Sequence, residues 1–114
     1  MKTISETLLD ILPLGEVNAI RKADLCQRLD ISERDLRSMI HELRASGLPV
    51  LSSVSHAGYF LPSAQKDTAA RECMAFVRSQ RSRALECFRS VRGAKMYIRA
   101  AEGQIAIDER GGQV

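Results

Sequence analysis

The stretch ISERDLRSMIHELRASGLPV, residues 31–50, constrains this chain more than any other, because it carries a start signal, a period and a stop signal for one helix. Ser32 with Asp35 three residues later makes a capping-box-like start. At about 100° per residue, Leu36, Met39, Ile40 and Leu43 gather on one side, as a core-facing stripe does. Gly47 ends the pattern and Pro49 confirms the stop. A helix of this kind must bury its stripe against neighbours, and the flanking segments supply them.

Upstream, Ile4, Leu8, Ile11 and Leu12 fall on one face of a first helix over about 4–12, with Thr3 or Ser5 as its cap and Pro13 halting it. The run NAI at 18–20 suits a small strand. A second helix follows from about Lys22 to Leu29, with Leu25, Cys26 and Leu29 turned inward. Downstream of Gly47, the apolar runs PVLS and GYFLP, separated by SVSHA and Gly58, have the pattern of a β-hairpin. Two short helices joined by a tight turn, the second amphipathic and followed directly by a hairpin, is the order of a winged helix-turn-helix. The expected fold class is therefore mainly α with a small β-hairpin. Residues 1–63 form the winged domain, 64–99 a long basic C-terminal helix, and 100–114 a short tail, partly disordered, with one short strand or turn at 104–107.

The outer face of the third helix holds Arg34, Ser38, His41 and Ala45, with Arg37 on one shoulder and Glu42 on the other. Arginine reads guanine bidentately, small side chains let a helix seat in the major groove, and hydroxyl and imidazole groups bond phosphates or base edges. An ordinary surface helix presents a similar mixture, since Glu33, Asp35 and Glu42 nearly cancel Arg34, Arg37 and Arg44. The turn before this helix and the hairpin after it favour double-stranded DNA.

The segment ADLCQRLDISERDLRSMIHELRASGLPV, continued by GYFL, resembles the winged-helix domains at the N-terminus of biotin ligase-type repressors and of WYL-type regulators. A Leu-rich helix, a turn containing Ile-Ser, an LR..G.P helix end and a GY.L strand recur there in this order. The wider pattern, ILPLG..NAI before this segment and a basic helix after it, is similar to small winged-helix proteins of bacterial phages and prophages. The resemblance implies that Arg34, Arg37, Ser38 and His41 face the groove and that residues 53–57 form the wing tip, with Ser53 and His56 as its polar groups. Two departures stand against the family pattern: this wing has no Lys or Arg, and Phe60 occupies a place where a polar or basic residue is common. An exposed Phe60 would suit a protein contact; the blander expectation is that it packs under the C-terminal helix.

Charge is unevenly placed along the chain. Residues 71–99 carry eight Lys and Arg against Glu72 and Glu86, whereas residues 1–70 are close to neutral and 100–114 slightly acidic. Arg78, Arg81, Arg83 and Arg89 would neutralise backbone phosphates if this helix lay along a duplex, or would contact an acidic partner. In the same helix Ala70, Cys73, Val77, Gln80, Ala84, Cys87 and Val91 recur at alternating spacings of three and four, a coiled-coil seam with a polar exception at Gln80. A homodimer through this helix is expected, although a helix curled back on its own domain would give the same stripe.

Catalysis has no support. His41 and His56 sit apart, and there is no HExxH, GxSxG, P-loop or dinucleotide fingerprint. Cys26, Cys73 and Cys87 are odd in number and lack a CxxC pair, so they are expected to be reduced and buried, without a disulfide framework or zinc. No run approaches a membrane span and the N-terminus lacks a signal-peptide core, which points to a cytoplasmic protein; separately, no cofactor and no small-molecule substrate are expected. Single-stranded or RNA binding usually needs stacking platforms, and the chain has no Trp, two Tyr and three Phe. The function expected is DNA binding, as a transcriptional regulator or a phage replication or packaging accessory factor. The alternative is a protein-interaction scaffold on the same fold.

Overall fold

The computed structural model describes the backbone of residues 1–53 and 58–111, with side chains up to residue 103. Its elements in chain order are α1 (Ile4–Ile11), a single 3-10 turn (Glu16–Asn18), β1 (Ile20–Arg21), α2 (Lys22–Leu29), α3 (Glu33–Ala45), β2 (Leu51–Ser53), β3 (Gly58–Phe60), α4 (Lys66–Ser90) and α5 (Arg92–Gly111). Two units divide the chain, Met1–Arg78 and Ser79–Val114.

Local chemistry sets the bounds of the first helices. Thr3 accepts a hydrogen bond from the Glu6 amide through its hydroxyl (3.1 Å), which satisfies one of the free donors at the start of α1. Ser32 does the same for Asp35 at the start of α3 (3.1 Å). Between α2 and α3 the chain reverses in three residues, and Asp30 carries the reversal in a left-handed conformation (φ 52°) that short polar side chains tolerate. At the far end of α3, Gly47 takes φ 96° while the Leu48 amide donates to the Leu43 carbonyl (3.1 Å), a glycine-based stop.

The apolar stripe of α3 is buried through Leu36, Ile40 and Leu43. With Leu8, Leu12, Leu25 and Val50 these side chains form one core, against which Ile20, Cys26, Leu29, Met39 and Tyr59 also pack. Ile4, expected inward on α1, is half exposed at its N-terminal end. The three strands form one antiparallel sheet in the order β1-β3-β2. Ile20 lies opposite Tyr59 and Arg21 opposite Gly58, while Leu51, Ser52 and Ser53 face Phe60, Tyr59 and Gly58. Gly58 is required by close approach: a Cβ there would stand 2.5 Å from the Ile20 carbonyl oxygen.

The first unit runs to Arg78, inside α4, and not to residue 63. Two side chains of α4 account for the difference. The Glu72 carboxylate accepts hydrogen bonds from the Glu16 amide (2.7 Å) and the Ser63 amide (2.8 Å), tying α4 to both the 3-10 turn and the segment after β3. The Phe76 ring lies under the Arg44 guanidinium, 4.7 Å from its centroid. Removing Glu72 leaves two partly buried amides without their acceptor, so Glu72→Ala should destabilise this unit by about 2 to 3 kcal/mol. Urea unfolding followed by circular dichroism measures this, and an unchanged midpoint would refute it.

Within the second unit the helical segments differ from expectation. Residues 92–111 are helical, so the strand or turn expected at 104–107 and the partly disordered tail over 100–111 give way to helix; residues 112–114 lie outside the described residues. Gly93 does not reverse the chain, the Lys95 amide donates to the Val91 carbonyl (2.9 Å), and the helix resumes after a single residue. The three thiols are free, and against the expectation of burial Cys87 is exposed and Cys26 and Cys73 are only partly buried.

Candidate nucleic-acid interface

The face of α3 opposite the core is where the structure gathers the polar residues singled out from the sequence. Leu36, Ile40 and Leu43 fix the rotation of the helix by their burial, and that rotation leaves Arg34, Arg37, Ser38 and His41 exposed. Together with Glu42 these four side chains line one shallow depression on the surface. They span two turns of a helix whose two ends are fixed by the Ser32 cap and the Gly47 stop, so the constellation sits on a rigid element.

Two contacts redistribute the charge on this face without changing its balance. Lys22, at the start of α2, forms an ion pair with Glu33 (3.7 Å), which partly offsets an acidic neighbour of Arg34. Arg44, counted with the surface charges in the sequence, belongs elsewhere: its Nε donates to the Val50 carbonyl (2.7 Å), and its guanidinium lies over the Phe76 and Tyr59 rings at 4.7 and 5.9 Å. It acts as a clasp between the end of α3, the sheet and α4. The outward face of α3 therefore carries Arg34 and Arg37 as its cations, with His41 between the arginines and the helix end.

The expected wing divides. Ser53 is buried at the end of β2, 7% exposed, so it is not a groove contact. The strand period explains this: Ser53 follows buried Leu51 by two residues and shares its side of the sheet. His56, with the rest of 54–57, lies outside the described residues. Phe60 is 2% exposed and so offers no surface to a partner.

Of the basic residues on α4, Arg78 is exposed in the first unit, and Arg81, Arg83 and Arg89 are exposed in the second. They do not form a single stripe. At about 100° per residue Arg83 falls on the far side of the helix from Arg81 and Arg89, which limits how many of the set one straight polyanion can meet. Sequence reasoning missed Glu72 and Arg44 as organising residues because their partners lie across the fold; Glu72 bonds an amide 56 residues away.

Among the described residues there is no group of three or more His, Cys, Asp or Glu placed to hold a metal ion, and no helix long and apolar enough to cross a membrane. Comparison with protein-family models, with curated proteins and with solved structures finds no match to this chain, so what bears on its function is the residues themselves and where the fold puts them.

Proposed function

We propose that this chain is a double-stranded DNA-binding protein of the winged helix-turn-helix kind, resembling the N-terminal domains of biotin ligase-type repressors and WYL-type regulators. It would act as a transcriptional regulator or a phage replication or packaging accessory factor, and as a homodimer through its C-terminal helix. The observation that carries this reading is the outer face of α3, where Arg34, Arg37, Ser38 and His41 line one exposed depression opposite the buried stripe.

Further support comes from the order of elements. A helix, a short strand, two helices joined by a three-residue turn, and two strands that close an antiparallel sheet in the order β1-β3-β2 match the arrangement in which a second helix enters the major groove. Arg34 and Arg37 sit in the first turns of α3, the end from which such helices reach base edges. The scaffold alternative loses its main residue, because Phe60 is buried.

The test is fluorescence anisotropy of a labelled mixed-sequence duplex titrated with the full chain over a range of salt. If three or four phosphates are neutralised, affinity should fall roughly 40- to 150-fold over a fourfold rise in salt. Absence of binding at low salt would overturn the proposal.

A further inference from the structure

The second unit has an exposed seam that the sequence period continues past the helix break. Within Ser79–Val114 every described residue from Arg81 to Ala100 is exposed, including Phe88 at 69%, Val91 at 40% and Ile98 at 53%. Continuing the alternation of three and four from Gln80, Ala84, Cys87 and Val91 leads to Ala94, Ile98 and Ala101 in α5. All of the positions after Gln80 are apolar or small. At the junction the Val91 carbonyl accepts from the Lys95 amide, so α5 begins one residue after α4 ends, and the continuation of the seam is that of the sequence period. A seam of this period is what one helix of a coiled coil presents to another.

We infer that the covering partner is a second copy of this chain, paired parallel and in register over residues 80–101. The inference deepens the homodimer proposed above and does not depend on DNA binding. Two features of the seam select this occupant and this orientation. Gln80 is the only polar residue among the described seam positions. In parallel register it meets its own copy and the two amides hydrogen-bond; antiparallel helices would set it against an apolar position, leaving a buried amide unsatisfied.

The flanking positions agree. In parallel register, each residue on one flank of the seam faces the residue five further along the partner. This sets Arg83 near Phe88 of the second copy, Ser90 near Lys95, and Tyr97 near Glu102. No like charges are opposed in these pairs, although the segment is strongly basic, and Arg83 over Phe88 is a cation–π arrangement. In this geometry Arg83 and Arg81 lie on opposite flanks of the seam, and Arg89 lies outside both.

Cys87, exposed in the single chain, would then sit beside its own copy on the two-fold axis. The experiment uses the full chain with Cys26→Ala and Cys73→Ala, so that Cys87 is the remaining thiol, oxidised with diamide at micromolar protein. The expected result is a dimeric mass by sedimentation and a covalent dimer on a non-reducing gel, both lost in the Val91→Glu variant. A monomeric mass would overturn the dimer. A dimeric mass without the Cys87 link would overturn the parallel register. The Arg34→Glu/Arg37→Glu variant separates this inference from the functional proposal, since it should keep the cross-link whether or not duplex binding is lost.

Discussion

Reversing the charge of two residues on α3, Arg34→Glu with Arg37→Glu, should weaken duplex binding by at least about 100-fold while leaving the fold intact. Each arginine that reads a guanine or holds a phosphate is worth roughly 1 to 3 kcal/mol, so two of them account for about 2 to 6 kcal/mol before the repulsion of new carboxylates from phosphate is added. The fold should survive because both side chains are exposed and make no contact with the core. A glutamate close to a helix N-terminus also meets the positive end of the helix dipole, which compensates for extra acidity beside Glu33 and Asp35. Anisotropy on the duplex and a thermal melt of the same preparation decide the matter. Binding unchanged with an unchanged melt would remove α3 from the interface and leave the basic residues of the second unit to account for it.

This variant also discriminates between positioning and reading. A lysine pair at the same places keeps the charge but loses the planar fork that bonds two acceptors at once. If α3 reads bases, Lys substitution should preserve most non-specific affinity and erase preference among duplexes of different sequence. If α3 touches backbone alone, the two forms should behave alike.

How far the sequence discloses this arrangement depends on whether the signal is local. The start, rotation and end of α3 are legible because a cap, a period and a glycine lie within one short segment, and the exposure of Arg34, Arg37, Ser38 and His41 follows from that rotation. The short strand near residues 18–20 is legible in kind but displaced, since β1 is Ile20–Arg21, held by pairing with β3. The continuation of helix over 92–111 is obscured by Gly93 and Gly103, which resemble stop signals. A glycine inside a helix costs only about 1 kcal/mol relative to alanine and ends it when the chain turns left-handed there. Among the described glycines Gly15 and Gly47 adopt positive φ, whereas Gly93 and Gly103 do not.

The clasp made by Arg44 and the anchor made by Glu72 were beyond any local reading. Both residues look like solvated helix charges at their own positions, and their meaning comes chiefly from an amide and rings supplied by distant segments, although the Val50 carbonyl bonded by Arg44 is only six residues on. Ser53 is an intermediate case. Its hydroxyl and its place next to the loop suggest a wing contact, but strand alternation from Leu51 already assigns it to the covered side.

Phe60→Ala should be among the most damaging single substitutions in the first unit, lowering stability by about 3 to 5 kcal/mol. Phe60 is 2% exposed and lies opposite Leu51, itself 2% exposed, in the pairing of β3 with β2. Truncation removes the apolar area of an aromatic ring and leaves a cavity beside buried Leu51. For a unit of this size the melting temperature should fall by roughly 15 to 30 °C, whereas Phe60→Leu, which keeps most of the volume, should cost less than about 2 kcal/mol. Thermal denaturation by circular dichroism measures both. The comparison separates the two functional readings as well as testing the core. A phenylalanine serving as an exposed docking residue would tolerate alanine with no change in melting temperature and lose a protein partner. A buried one should lose stability and, at temperatures where the variant remains folded, keep its affinity for duplex, because the arginines of α3 point away from the core.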